Sequence, residues 1–101
     1  MQVLNNEFKQ EIRNITKLSA EVNGDDKQKI LSMMKDHIDE ITELYEKNND
    51  HYQVETADLI VLSFELLLLE NKDIDMIFAK CLPRFYKKLN ELKSQKNKEK
   101  L

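Results

Sequence analysis

Residues 59–69 read LIVLSFELLLL, an apolar run that only Ser63 and Glu65 interrupt. A helix with this sequence is apolar nearly all round, which is typical of a helix with neighbours on several sides. A bilayer span needs about 20 apolar residues, so this shorter run predicts a central helix and not a membrane segment. Each helix of a monomeric four-helix bundle has a solvent face, and the run therefore also predicts a second subunit, in a homodimer or a higher homo-oligomer.

The composition favours an all-α fold with one domain. The chain has 101 residues with one Gly and one Pro, which leaves little turn chemistry for a β-sandwich or barrel. A chain of this length forms a single domain with an expected radius of gyration of about 13 Å. We therefore expect a protomer of the four-helix bundle type. The single Cys and the absence of a signal-peptide pattern predict a cytoplasmic protein.

Three further helices flank the central one, which is predicted over residues 51–70. In the first, apolar residues recur at steps of three and four, the spacing of one helical face. These residues are Leu4, Phe8, Ile12, Ile15 and Leu18. Asn23 and Gly24 then predict a helix stop, and Asp25 with Gln28 resembles a capping box that opens a second helix over residues 26–47.

The fourth helix is predicted to begin after an N-cap at Asp73 and to carry an apolar stripe as far as Leu92. Pro83 lies inside that stripe and is expected to kink the helix or divide it in two, since it removes one backbone donor. The domain is predicted over residues 1–92. The Lys-rich residues 93–101 have little to bury and are expected to form a frayed tail.

Charge is divided unevenly along the chain. Residues 1–79 contain 8 Lys/Arg and 17 Asp/Glu, whereas residues 80–101 contain 8 Lys/Arg and 2 Asp/Glu. The basic end suits the C-terminal dipole of a solvated last helix. The acidity of the remainder argues against a large phosphate footprint, so binding of nucleic acid is not expected.

Two pairs of carboxylates lie on or beside predicted apolar faces. Glu40 and Glu43 share one side of the second helix, and Glu55 and Asp58 share the leucine-rich side of the third. Like charges close to a core raise one another's pKa and need a compensating cation. Carboxylate oxygens favour a hard divalent ion, so we expect the four acids to bind Mg²⁺, with Mn²⁺ as a second candidate.

These residues resemble a known family. The strings Asp39-Glu40-Ile41-Thr42-Glu43-Leu44 and Glu55-Thr56-Ala57-Asp58-Leu59, the second followed by an apolar run, are similar to the Glu-x-x-Glu and Glu-x-x-Asp signature of the MazG-like all-α nucleotide pyrophosphohydrolases. The resemblance covers about residues 30 to 90. It implies Mg²⁺-dependent cleavage of a nucleoside triphosphate between its α and β phosphates, which releases the monophosphate and pyrophosphate.

The resemblance also implies roles for individual residues. The metal ligands would be Glu40, Glu43, Glu55 and Asp58. Either Glu40 or Glu43 would instead orient the attacking water as a base. Lys80 lies at about the place where the family carries a Lys on its last helix, and with Arg84 or Lys87 it would stabilise charge on the phosphates.

Two other functions stay open. Phosphoribosyl-ATP pyrophosphatase, an enzyme of the same superfamily, has a string similar to residues 55–59, but Ile60 and Val61 replace the Tyr-His expected after it. The third hypothesis is a non-catalytic helical dimer that acts as a binding or regulatory module. His37 and His51 have no second His or Cys at ligand spacing, so we expect a packed His and a surface His in place of a zinc site. Cys81 falls on the apolar stripe of the fourth helix, where we expect a buried inert thiol.

Overall fold

The computed structural model describes residues 4–99, and these form four helices and no strand. The helices are α1 (Asn6–Asn23), α2 (Lys27–Glu46), α3 (Tyr52–Leu69) and α4 (Ile74–Glu99). The all-α prediction is confirmed for this part of the chain. The predicted domain start at residues 1–3 and the tail end at residues 100–101 lie outside the described residues.

Local side-chain chemistry explains where the helices begin and end. The side chain of Asn5 accepts a hydrogen bond from the Phe8 N–H at 2.8 Å, and Gly24 at φ 75° ends α1. The capping box predicted at Asp25 was wrong. Asp26 is the N-cap of α2 and accepts from the Lys29 N–H at 3.2 Å, because the helix begins one residue later than expected. The predicted N-cap at Asp73 is confirmed by a 3.3 Å bond from the Met76 N–H.

α3 lies at the centre of the bundle, as its apolar sequence predicts. It packs against α1, α2 and α4, and its most extensive contact is with α2. The core is built around Phe64, whose ring meets those of Phe8 and Phe78 with centroids 6.0 Å away in each case. Ile12 and Ile74 are buried against it, so one aromatic side chain joins α1, α3 and α4.

The protomer is more open than its length predicts. Its radius of gyration is 17.1 Å and its longest dimension 57 Å, so the expected value of about 13 Å was too small. The cause is α4, which contacts the bundle through its first turns and is exposed at residues 82–98. Pro83 does not divide α4, since the helix continues through it at a site where the ring faces solvent.

The Lys-rich end of the chain is helical as far as the structure describes it. α4 extends through Glu99, whereas fraying was expected from residue 93. Lys, Gln and Glu have high helix propensity, and a solvated helix needs no apolar face to continue through such residues. In residues 4–99, no helix is both long enough and apolar enough to span a membrane.

Glu65 places a carboxyl group inside the core. Its side chain belongs to α3, the residue is 4% exposed, and Ser19 Oγ on α1 donates to Oε2 at 3.5 Å. Burial raises the pKa of Glu65, and the hydrogen bond from Ser19 offsets part of that rise. The folded chain therefore binds this proton more tightly than the unfolded chain does. Stability falls as the pH rises from the ordinary carboxyl pKa through the raised one.

We expect Glu65→Gln to raise the melting temperature at pH 7, because Gln keeps a partner for Ser19 and removes the buried charge. The advantage over the wild type should shrink as the pH is lowered towards the ordinary carboxyl pKa of 4.5, below which Glu65 becomes protonated in both states. Thermal unfolding followed by circular dichroism between pH 4 and pH 8 measures this. The control is Glu21→Gln at an exposed site of α1. A Glu65→Gln variant no more stable than the wild type at pH 7 would contradict this account of Glu65.

Candidate metal centre

The turn between α2 and α3 brings the two acidic segments together. Asn48 adopts φ 58°, and the Asn49 N–H donates to the Leu44 carbonyl at 2.9 Å, so the chain reverses within a few residues. The rings of Tyr45 and Tyr52 then meet edge to face, with centroids 5.3 Å apart. This antiparallel helical hairpin places the last half of α2 beside the first half of α3.

Glu55 lies at the centre of the polar cluster that results. Its side chain is 16% exposed and stands between two imidazoles. His37 Nε2 lies 3.3 Å from Oε2 of Glu55, and His51 Nε2 lies 3.3 Å from Oε1. The same nitrogen of His37 is 3.8 Å from Oδ2 of Asp58. One ligand atom from each of His37, Glu55 and Asp58 falls within 4.8 Å of the others, which is the spacing of a metal-binding group.

Glu40 completes the cluster from α2. A hydrogen bond between the carboxyl groups of Glu40 and Glu55 raises the pKa of Glu40, and the negative charge of Glu55 raises it further. The neighbouring His37 offsets part of this rise. Glu40 itself is exposed to solvent, so it lies beside Glu55 at the open side of the hairpin.

The four predicted acids therefore differ in their surroundings. Glu55 lies beside Glu40 and in one group with Asp58, but Glu40 and Asp58 are exposed and are not held close to the core as expected. Glu43 instead pairs with Lys47, whose Nζ donates to Oε1 at 2.7 Å, and this pair lowers the pKa of Glu43. The Glu43 side chain is 64% exposed. Its role as a fourth ligand or as a base stays a prediction.

The predicted phosphate-binding cations lie on α4. At an advance of ~100° per residue, Lys80, Arg84 and Lys87 fall on one face of that helix. All three are exposed, and none forms an ion pair with the acids within residues 4–99. The structure thus presents a cationic face on α4 that is separate from the acidic cluster in a single protomer.

His37 is the residue that sequence reasoning missed. Only a second His or Cys was expected as a partner for His37. His37 precedes Glu40 by three residues, however, and therefore shares the side of α2 on which Glu40 lies. His51 likewise precedes Glu55 by four. The side chain of His37 is 20% exposed and that of His51 is 57% exposed, as predicted, but His37 packs against the carboxyl groups of α3, so the expectation that it lies outside any metal site stays a prediction. Cys81 is a half-buried free thiol on α4.

The described side chains fit a divalent cation through their charge and donor chemistry. Two carboxyl groups and one imidazole from two helices form one group, Glu40 lies beside it, and the side chain of Glu55 is 16% exposed. No protein family, curated protein or solved structure matches this chain.

Proposed function

We propose that the chain is a divalent-metal-dependent nucleoside triphosphate pyrophosphohydrolase that cleaves the bond between the α and β phosphates. The observation that carries this proposal is that Glu55 and Asp58 lie in one group with His37 at the α2–α3 hairpin, with Glu40 beside Glu55. The three carboxylates are three of the four acids that the resemblance to MazG-like enzymes selects, and they come from both halves of its signature.

Each of the predicted site residues would have its own role in the reaction. Glu55 and Asp58, with Glu40, would hold Mg²⁺ or Mn²⁺, which when bound neutralises phosphate charge and lowers the pKa of a water ligand. Of the two candidate bases, Glu40 lies beside Glu55 whereas Glu43 pairs with Lys47, so Glu40 is the better placed to accept a proton from the attacking water. Lys80, Arg84 and Lys87 would stabilise charge on the β and γ phosphates as pyrophosphate leaves. A cytoplasmic location goes with the proposal, since the one thiol is free.

Homodimerisation belongs to the same proposal. Four large apolar side chains follow one another along α4 at steps of three, four and three residues, and each is 40% exposed or more. They are Leu82, Phe85, Leu89 and Leu92. Such a stripe is the seam by which helices pair, and within one protomer nothing in residues 4–99 buries it. A second copy supplies an identical stripe, which suits a two-fold interface.

The proposed activity is tested with a panel of canonical and modified nucleoside triphosphates, each incubated with Mg²⁺ or Mn²⁺. We expect a nucleoside monophosphate and pyrophosphate as products from at least one of them. Release of a nucleoside diphosphate and inorganic phosphate, or inactivity across the panel, would overturn the proposal. Phosphoribosyl-ATP is included because hydrolysis of that compound alone identifies the related pyrophosphatase. Inactivity of a stable dimer on every compound would favour the non-catalytic module.

A further inference from the structure

His37 contributes a nitrogen to a cluster that would otherwise contain only oxygen ligands. Its Nε2 faces Oε2 of Glu55 at 3.3 Å and Oδ2 of Asp58 at 3.8 Å. The imidazole is held on α2 and both carboxylates on α3, so the contact joins the two helices. The side chain of His37 is 20% exposed and therefore sits at the edge of the hairpin, where an ion from solvent can reach it.

The other nitrogen of His37 determines which atom can bind a metal. Nδ1 lies 2.8 Å from the backbone carbonyl oxygen of Met33. A carbonyl oxygen can only accept a hydrogen bond, so Nδ1 carries the hydrogen and the neutral ring has its lone pair on Nε2. An Nδ1–H bond to a backbone carbonyl is also the usual support of a metal-binding histidine, because it orients the ring and raises the basicity of Nε2.

Nε2 lies 3.3 Å from a carboxyl oxygen of Glu55 and 3.8 Å from one of Asp58. Lone pairs of a neutral imidazole and of two carboxylates repel one another at these distances unless a cation lies between them. That cation is either a proton on Nε2 or a metal ion bound by all three groups. The ligand atoms of the three residues lie close enough together for one ion to bind them all.

The combination of one imidazole nitrogen with carboxyl oxygens favours some metal ions over others. Mg²⁺ prefers oxygen ligands and retains several waters, whereas Mn²⁺, Co²⁺ and Zn²⁺ accept imidazole nitrogen readily. We propose that His37, with Glu55 and Asp58, forms a mixed nitrogen and oxygen site that prefers a divalent first-row transition ion over Mg²⁺. This inference deepens the proposed function, since it concerns the metal of the same site. It is tested by metal binding without a nucleotide.

The experiment is a titration of the full chain with Co²⁺ and with Mg²⁺, followed by calorimetry and, for Co²⁺, by its visible absorption. The wild type should bind Co²⁺ more tightly than Mg²⁺. His37→Ala should weaken Co²⁺ binding by about 10- to 100-fold, the range seen when support of a metal site is removed, while Mg²⁺ binding changes little. The Co²⁺ absorption bands should shift as a nitrogen ligand is lost.

His51→Ala is the matched control, because His51 also faces Glu55 at 3.3 Å but does not belong to the three-residue group. It should keep the affinity of the wild type for Co²⁺. His37→Gln, which replaces the imidazole by an amide of similar reach, is the second variant and is used where His37→Ala does not fold. Equal binding of Co²⁺ and Mg²⁺ by the wild type, or unchanged Co²⁺ binding in both His37 variants, would overturn the inference. A chain that binds Co²⁺ through His37 and hydrolyses no nucleotide would support the inference and refute the proposed function.

Discussion

Glu55→Gln is expected to lower the pyrophosphohydrolase activity at saturating metal by at least about 100-fold. Removing a residue that supports a metal ligand commonly lowers activity by about 10- to 100-fold, and Glu55 is proposed to bind the metal itself. Glu55 lies between the carboxyl of Glu40 and the imidazole of His37, and it belongs to the three-residue group with His37 and Asp58. Replacing its charged carboxylate by an amide removes an anionic ligand and leaves the volume of the side chain almost unchanged. Steady-state assays on the best substrate of the panel, over a range of metal concentrations, measure the effect.

The matched control for this substitution is Glu46→Gln. Glu46 is an exposed carboxylate on the same helical hairpin and has no role in the proposal. The activity of the Glu46→Gln variant should equal that of the wild type within about twofold, since substitutions at ordinary surface positions change the stability of the fold little. Activity retained in Glu55→Gln would remove the cluster from the mechanism.

Glu43→Gln tests the prediction that Glu43 is a metal ligand or a base. A loss of activity as large as that of Glu55→Gln would place Glu43 in the site despite its pairing with Lys47.

The second large effect is expected on α4. Replacing both Phe85 and Leu89 by Lys puts two charges at the middle of the apolar stripe, which the proposal buries against a second copy. Central apolar residues of an interface commonly contribute about 2 kcal/mol or more each, so the double variant should raise the dissociation constant of the dimer by roughly 1,000-fold. Sedimentation velocity at micromolar concentration should show a dimer for the wild type and a monomer for the variant.

A control with the same added charge shows whether the dimer is lost because the apolar stripe is disrupted or because the two protomers repel each other. Asn90 and Ser94 lie on the opposite side of α4 at ~100° per residue, and both are exposed. The double substitution of these two residues by Lys should leave the dimer intact. A monomeric wild type, or a dimer that survives Phe85→Lys and Leu89→Lys together, would contradict the assignment of this stripe to a homodimer interface.

The helices could be predicted from the sequence because their signals are local. The apolar spacing of α1 and the unbroken apolar run of α3 each predict a helix, and the structure has both helices, although of the α1 stripe Phe8, Ile15 and Leu18 are exposed. The N-cap of α2 was missed by one residue, since Asp25 and Asp26 offer the same carboxylate chemistry and only the backbone conformation separates them.

The site required information that local patterns do not carry. Glu40 and Glu55 meet because the turn at Asn48 sets the alignment of α2 against α3, and no spacing within one helix determines that alignment. His37 joins the cluster for the same reason, through a contact between helices. The open shape was also missed, since a radius expected for a compact chain assumes that every helix packs within one protomer, which α4 does not.

The central claim is that the cluster of Glu40, Glu55 and Asp58 binds a divalent cation in the folded chain. The most direct measurement is the melting temperature with and without Mg²⁺ or Mn²⁺, compared between the wild type and Glu55→Gln. A ligand that binds only the folded state at about 100 times its dissociation constant adds about 2.7 kcal/mol of stability. For a domain of this size that is a rise of roughly 10 °C or more. We predict this rise in the wild type and its loss in Glu55→Gln. A wild type whose melting temperature does not change at millimolar Mg²⁺ or Mn²⁺ would contradict the claim.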